Sequence, residues 1–263
     1  MPLLIIKIEI AFRGSNATVE RKKLYIVVLR EKVKVVMENT IVTPYSDIEA
    51  KEEWLWRYRI PHKSVAFLYG HSKSAVDALI AEIAASISTG RSLAVDSMKR
   101  DAEKVIYQDF KEGQIGPAKA NLDRQKADCS NIAYMHLDCK KVMECIQKLE
   151  KGMAEFQPAL VILKNISKCV EKQEDVYDPL KMAPILHRMM LYAKRYNCSI
   201  LVAENSPRIC YEDTYFALTV KSVLQIQKSQ QGYFVLTQTR DELKQRCDDI
   251  KFKVDLQKTL YWI

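Results

Sequence analysis

Glycine is scarce in this chain, with 7 in 263 residues. Loops that cradle phosphate depend on glycine, because the backbone must come close to the ligand in conformations that other residues resist. Few places are therefore left for such a loop. The histidines, His62, His71, His136 and His187, show no metal-ligand spacing. The 7 cysteines (129, 139, 145, 169, 198, 210 and 247) are odd in number and include no C-x-x-C pair. That pattern argues against a zinc site or a disulfide framework, and predicts buried free thiols in a reducing compartment. No apolar run approaches the ~20 residues of a membrane span, so no membrane partner and a cytoplasmic location are expected. Pro2–Phe12 is apolar but carries Lys7 and Glu9, and no small-residue cleavage site follows, so it reads as a strand rather than a secretion signal. There is no low-complexity tract, and no basic block long enough for a disordered arm.

Against these absences stands a hydrophobic content of 48% and a formal net charge of +8, with pI near 9.0. The length suits one large domain, or one domain with a small appendage. The basic balance suits a nucleic-acid or acidic-protein partner.

Residues 1–45 read as a β-rich segment. Leu3–Phe12, Lys23–Leu29 and Lys32–Met37 are β-branched runs, and the short charged connection Arg30-Glu31 predicts a hairpin or meander. A polar linker, Tyr45–Glu53, leads to the alternating aromatics Trp54, Trp56 and Tyr58, which suit either base stacking or packing onto the core.

Residues 46–263 form the main domain in this reading. Beyond Pro61, strands alternate with helices: strand 65–69, helix 75–88 ending at the cap Gly90, strand 105–108, a helix around 116–127, strand 132–137 and helix 140–156. Strand 160–163, helix 180–196 and strand 199–203 follow, then antiparallel-looking strands at 222–227, 233–239 and 250–256. This alternation predicts an α/β fold, a mostly parallel twisted sheet with helices on both faces.

A strand ending in glycine, a short loop and a helix is where a phosphate loop, G-x-x-x-x-G-K-[ST], belongs. Phe67-Leu68-Tyr69-Gly70 supplies the strand and first glycine. Counting on, the second glycine falls at Ala75, the lysine at Val76 and the magnesium-binding hydroxyl at Asp77. A carboxylate at Asp77 would repel phosphate. A shortened loop at Lys73-Ser74 is the alternative register. It is disfavoured here because it turns Asp77 towards the helix face that packs on the sheet.

The ordered segments 65–90, Val105-Ile106-Tyr107-Gln108-Asp109-Phe110-Lys111, Pro158 to Ser167, Ile200 to Arg208 and Tyr233 to Arg240, after Trp54 and Ile60-Pro61, resemble the RecA-like ATPases of the plasmid RepA type. These are related to hexameric helicases and to AAA-class proteins of mobile elements. The resemblance covers roughly residues 54–254 and implies a RecA-like sheet. It places the water-activating acid at Lys111, with Asp109 and Glu112 beside it, and the magnesium-ordering aspartate at Lys164. The fourth-strand polar sensor falls at Asn205, and the arginine lent to a neighbouring subunit at Arg240, whose companion lysine has become Gln238. With these positions changed together, no magnesium–phosphate chemistry is expected.

The expectation is a non-catalytic subunit without cofactor, a DNA-binding or scaffold component in replication, recombination or transfer of DNA. It would form homo- or hetero-oligomers with RecA-like subunits. The alternatives are a weak ATPase that binds ATP and magnesium through Lys73-Ser74, and a structural subunit of a mixed RecA-like ring.

Overall fold

The structure, a computed structural model, describes residues 4–13, 19–29, 32–37, 53–96, 100–135, 142–170, 172–205, 209–241 and 247–263. The chain divides into two compact units, 1–51 and 52–263. The first contains an antiparallel sheet of β1 (Leu4–Arg13), β2 (Val19–Leu29) and β3 (Lys32–Met37), in that order. The polar linker 45–53 lies almost wholly outside the described residues, as do Arg30 and Glu31.

The second unit opens with the small ladder β4 (Trp54–Trp56) and β5 (Ile60–Pro61). Trp56 is fully buried and donates its indole N–H to the Ala94 carbonyl at 3.1 Å. Trp54 meets Tyr58 edge to face, and Tyr58 turns the chain at φ 62°. The aromatics therefore do not form one alternating strand face.

Then come β6 (Val65–Gly70), α1 (Lys73–Thr89), β7 (Val105–Asp109), α2 (Ile115–Arg124), β8 (Ile132–Ala133) and α3 (Val142–Phe156). After these follow β9 (Leu160–Lys164), α4 (Pro179–Arg195), β10 (Ser199–Glu204), α5 (Tyr215–Thr219), β11 (Ser222–Lys228), β12 (Phe234–Asp241), β13 (Ile250–Val254) and β14 (Leu260–Trp262). One nine-stranded mixed sheet runs β14-β13-β12-β11-β6-β10-β9-β7-β8. The strands from β11 to β8 in that order are parallel, and β12, β13 and β14 extend the sheet antiparallel.

Period-two alternation divides the core into two layers. Ala66, Leu68, Ile162, Leu201 and Ala203 pack under α1 and α2, while Val65, Phe67, Val161, Leu163, Ile200 and Val202 pack under α3, α4 and α5. The parallel strands are covered on both sides, so they read as continuous apolar runs. α1 starts at Ser72, whose hydroxyl accepts from Ala75 N–H, and ends at Gly90 in the left-handed conformation (φ 71°) that glycine tolerates best. It is buried along almost its whole length, from Ala75 to Ser88.

Three details depart from expectation. β8 ends at Ala133, and residues 136–141 lie outside the described set. Cys145 is disulfide-bonded, where free thiols were expected, since linear spacing does not reveal which thiols folding brings together. Of the free cysteines 129, 169, 198, 210 and 247, only Cys198 is fully buried. Among the described residues, no helix is long and apolar enough to cross a membrane.

Candidate functional site

The carboxyl ends of four neighbouring parallel strands bring polar residues to one edge of an otherwise apolar sheet. Asp109 ends β7 and lies opposite Lys164, the last residue of β9; Lys164 in turn lies opposite Ala203. Glu204, the last residue of β10, lies opposite Tyr69 of β6. The chain leaves β6 and β7 towards the face of α1 and α2, but leaves β9 and β10 towards the face of α4 and α5. Reversals of this kind open crevices where α/β sheets bind ligands.

Here the crevice is filled by the protein's own charges. The Lys164 ammonium is buried, 2.8 Å from Asp109 Oδ2 in a directed hydrogen bond and 2.7 Å from Asp77 Oδ1 in a close ion pair. The Lys73 ammonium, half exposed, binds the other oxygen of Asp77 at 2.5 Å. Asp109 Oδ1 accepts from Asn165 Nδ2 at 2.7 Å and from the Lys111 backbone N–H at 2.9 Å. Burial by itself would lower the lysine pKa, but attraction to Asp77 and Asp109 outweighs it and holds Lys164 above its ordinary value. Two lysines and two aspartates thus form a closed, charge-balanced group. Its buried charges are compensated only while all members are present.

Asp77 does face the sheet, on the helix side from which the sequence argument had excluded a carboxylate. Lys164 makes that placement tolerable by neutralising it, so the face argument does not distinguish the two loop registers. Loop length distinguishes them better. Gly70 belongs to β6, Ser72 caps α1 and the helix begins at Lys73, so His71 and Ser72 alone connect strand to helix. Two residues are too few to wrap a phosphate in backbone N–H groups. Gly70 also serves packing: a Cβ there would lie 2.9 Å from Ile226 Cβ, 3.1 Å from its carbonyl oxygen and 3.2 Å from Val76 Cγ2. Ala75 and Val76 are buried in α1, and Ser74 is exposed with its hydroxyl 3.2 Å from that of Ser72. The residues that the resemblance would assign to magnesium-ATP do not fit it: Lys164 is a cation where a metal would be ordered, Asp77 is an anion where a hydroxyl would bind it, and two connecting residues make no cradle.

Beside the quartet lies Glu204, buried and held by Ser167, whose backbone N–H donates to Oε1 and whose hydroxyl donates to Oε2, each at 2.8 Å. Burial pushes its carboxyl up to about 7 against the opposing pull of the Ser167 bonds and Lys168. Asn205 follows it, with its Nδ2 buried and making no hydrogen bond among the described residues. Lys111 is exposed and contributes only its backbone N–H. Arg240 stands apart from the quartet, its guanidinium donating to the Ala217 and Leu218 carbonyls of α5.

The sequence reading singled out Lys73, Asp77 and Lys164, and the structure joins these three. It does not bring Arg240 to them. It adds Asp109, Asn165 and Glu204, each a polar residue within two positions of the end of a buried apolar run. Among the described residues, no group of three or more His, Cys, Asp or Glu side chains is arranged to hold a metal ion. No protein-family model and no curated protein sequence matches the chain.

Proposed function

We propose that the chain is a RecA-like subunit that works by binding rather than by hydrolysis, a nucleic-acid-binding or scaffold component in replication, recombination or transfer of DNA. The RecA-like reading is supported by the convergence of separate segments. The residues that the resemblance assigns to the phosphate loop, the second strand, the magnesium strand and the sensor strand stand at one edge of one mostly parallel sheet.

The single observation that carries the non-hydrolysing reading is Lys164 held between Asp77 and Asp109. In this reading an ammonium takes the place of the divalent cation, and a carboxylate stands where a hydroxyl would bind it. Both changes oppose a magnesium–phosphate complex, and each compensates the other inside the fold. The weak-ATPase alternative loses support because Lys73 is drawn onto Asp77 and only His71 and Ser72 link β6 to α1. Assembly with other RecA-like subunits belongs to the proposal, as does the scaffold role in a mixed ring.

The test is binding of labelled single-stranded oligonucleotide over a salt series, with and without magnesium-ATP. The expected result is affinity that falls steeply with salt, as counterion release requires, and is indifferent to nucleotide. Binding that appears only with magnesium-ATP would overturn the reading.

A further inference from the structure

We propose that a pocket between α2 and the β8 edge of the sheet binds a neutral, single-ring aromatic molecule carrying one O–H or N–H group. The proposal stands apart from the nucleic-acid reading above and does not depend on it. β8 has only two residues beside the five of β7, and it is the last strand on its side of the nine-stranded sheet. Among the described residues no longer strand fills the space there, and a pocket of about 180 Å³ opens. Ile115, Ala118 and Leu122 of α2 line it from one side, and Ile132 and Ala133 of β8 from the other. An apolar cavity of about 150 Å³ is enough to take up benzene, so the space suits one ring rather than a nucleotide.

The polar groups of the pocket decide the class of ligand. Lys119 and Cys129 also line it, but both are engaged with Asp123: the Lys119 ammonium lies 2.5 Å from Oδ1, and the thiol donates to the same oxygen at 3.7 Å. An anionic ligand would compete with Asp123 for Lys119, so a neutral one is favoured. Tyr107 is different. It is 3% exposed and lines the pocket, and among the described residues its hydroxyl has no hydrogen-bond partner. Buried hydroxyls are ordinarily paired, so this one leaves a polar position for a ligand to satisfy. Burial first, and then Asp77 and Asp109, hold its pKa well above the ordinary tyrosine value. The hydroxyl therefore keeps its proton, and its oxygen is matched by an O–H or N–H of the ligand. Tyr134 lines the pocket as well, its own hydroxyl accepting from Gln108 Nε2 at 3.4 Å. Two tyrosine rings thus border the space, which suits an aromatic ligand through stacked or edge-to-face contact.

The experiment is a ligand-observed NMR titration of the full chain with phenol and with fluorobenzene, which has the same ring and nearly the same size but no donor. Phenol is expected to bind with a dissociation constant of roughly 1 mM, and fluorobenzene about fivefold more weakly, the contribution of one neutral hydrogen bond. Tyr107→Phe is expected to erase that difference by weakening phenol alone. Ala118→Phe places a ring in the pocket and is expected to abolish binding of both. Should Ala118→Phe fail to fold, the wild-type chain supplies a second reading. Phenol is expected to slow iodoacetamide labelling of Cys129, followed by mass spectrometry, in proportion to occupancy, and to leave labelling of the exposed Cys210 unchanged. Equal affinity of phenol for wild type and Ala118→Phe, or no protection of Cys129, would overturn the location. Equal affinity of wild type for phenol and fluorobenzene would overturn the role of Tyr107, and no phenol binding below about 10 mM would overturn the proposal outright.

Discussion

Lys164 at the end of β9 and Asp77 near the start of α1 meet at 2.7 Å inside the protein, tying the central sheet to the helix that crosses it. Asp109 completes the tie from β7 at 2.8 Å. Removing one member of a buried charge group leaves its partners desolvated and unpaired. Lys164→Met is therefore expected to destabilise the chain by about 3–5 kcal/mol in denaturant unfolding. The triple Lys164→Met/Asp77→Leu/Asp109→Asn is expected to recover most of that loss, because the charges leave together. A single variant as stable as wild type would mean that the group contributes nothing to the order of this edge.

Glu204 sets a pH dependence in the opposite sense from the usual surface carboxylate. Its folded pKa, about 7, lies above the ordinary value of 4.5, so the folded state holds a proton that the unfolded state has released. Stability is then fullest below pH 4.5 as far as this group is concerned, and falls as pH rises through the window from 4.5 to 7. The loss amounts to about 3 kcal/mol at most. Glu204→Gln keeps an acceptor for the Ser167 N–H and is expected to flatten that dependence, with a higher melting temperature than wild type at pH 8. An unchanged pH profile would count against this account.

Gly70→Ala tests the packing role of the glycine. The added methyl would meet the Ile226 backbone and side chain at 2.9–3.1 Å, and backbone cannot swing aside. A loss of about 1–3 kcal/mol is expected by chemical denaturation. A neutral result would release Gly70 for some other role.

Arg240→Ala removes the donor to the Ala217 and Leu218 carbonyls, and is expected to cost about 1–2 kcal/mol in denaturant unfolding. Mixed with a hydrolysing RecA-like partner, the variant is expected to leave the partner's ATP turnover as wild type does. A loss of stimulation in the variant alone would show that the arginine reaches a neighbour's phosphate.

Much of the α/β architecture was legible in the sequence because buried parallel strands such as Leu160–Lys164 and Ser199–Glu204 are short apolar runs bounded by polar residues. Gly90 likewise marked the end of α1 where a left-handed residue was needed. The short elements were not legible: β14 and α5 are too brief for either period to register. At the site, Lys164 and Asp77 stood out as wrong residues for a motif, but their partnership did not, since 87 positions separate them and only the packing of α1 against the sheet brings them together. Asp109 was passed over for Lys111 because the sequence does not reveal which residue ends the strand, and the ladder does.

The most direct measurement is the melting temperature of the full chain with and without magnesium-ATP. A ligand present at a hundred times its dissociation constant stabilises the folded state by about 2.7 kcal/mol, well above detection. No shift is expected, either in wild type or in Lys73→Ala once the variant's own stability is taken as its baseline. A clear rise with magnesium-ATP in wild type that disappears in Lys73→Ala would contradict the account, because it would mean that Lys73-Ser74 holds phosphate despite the charge-balanced quartet behind it.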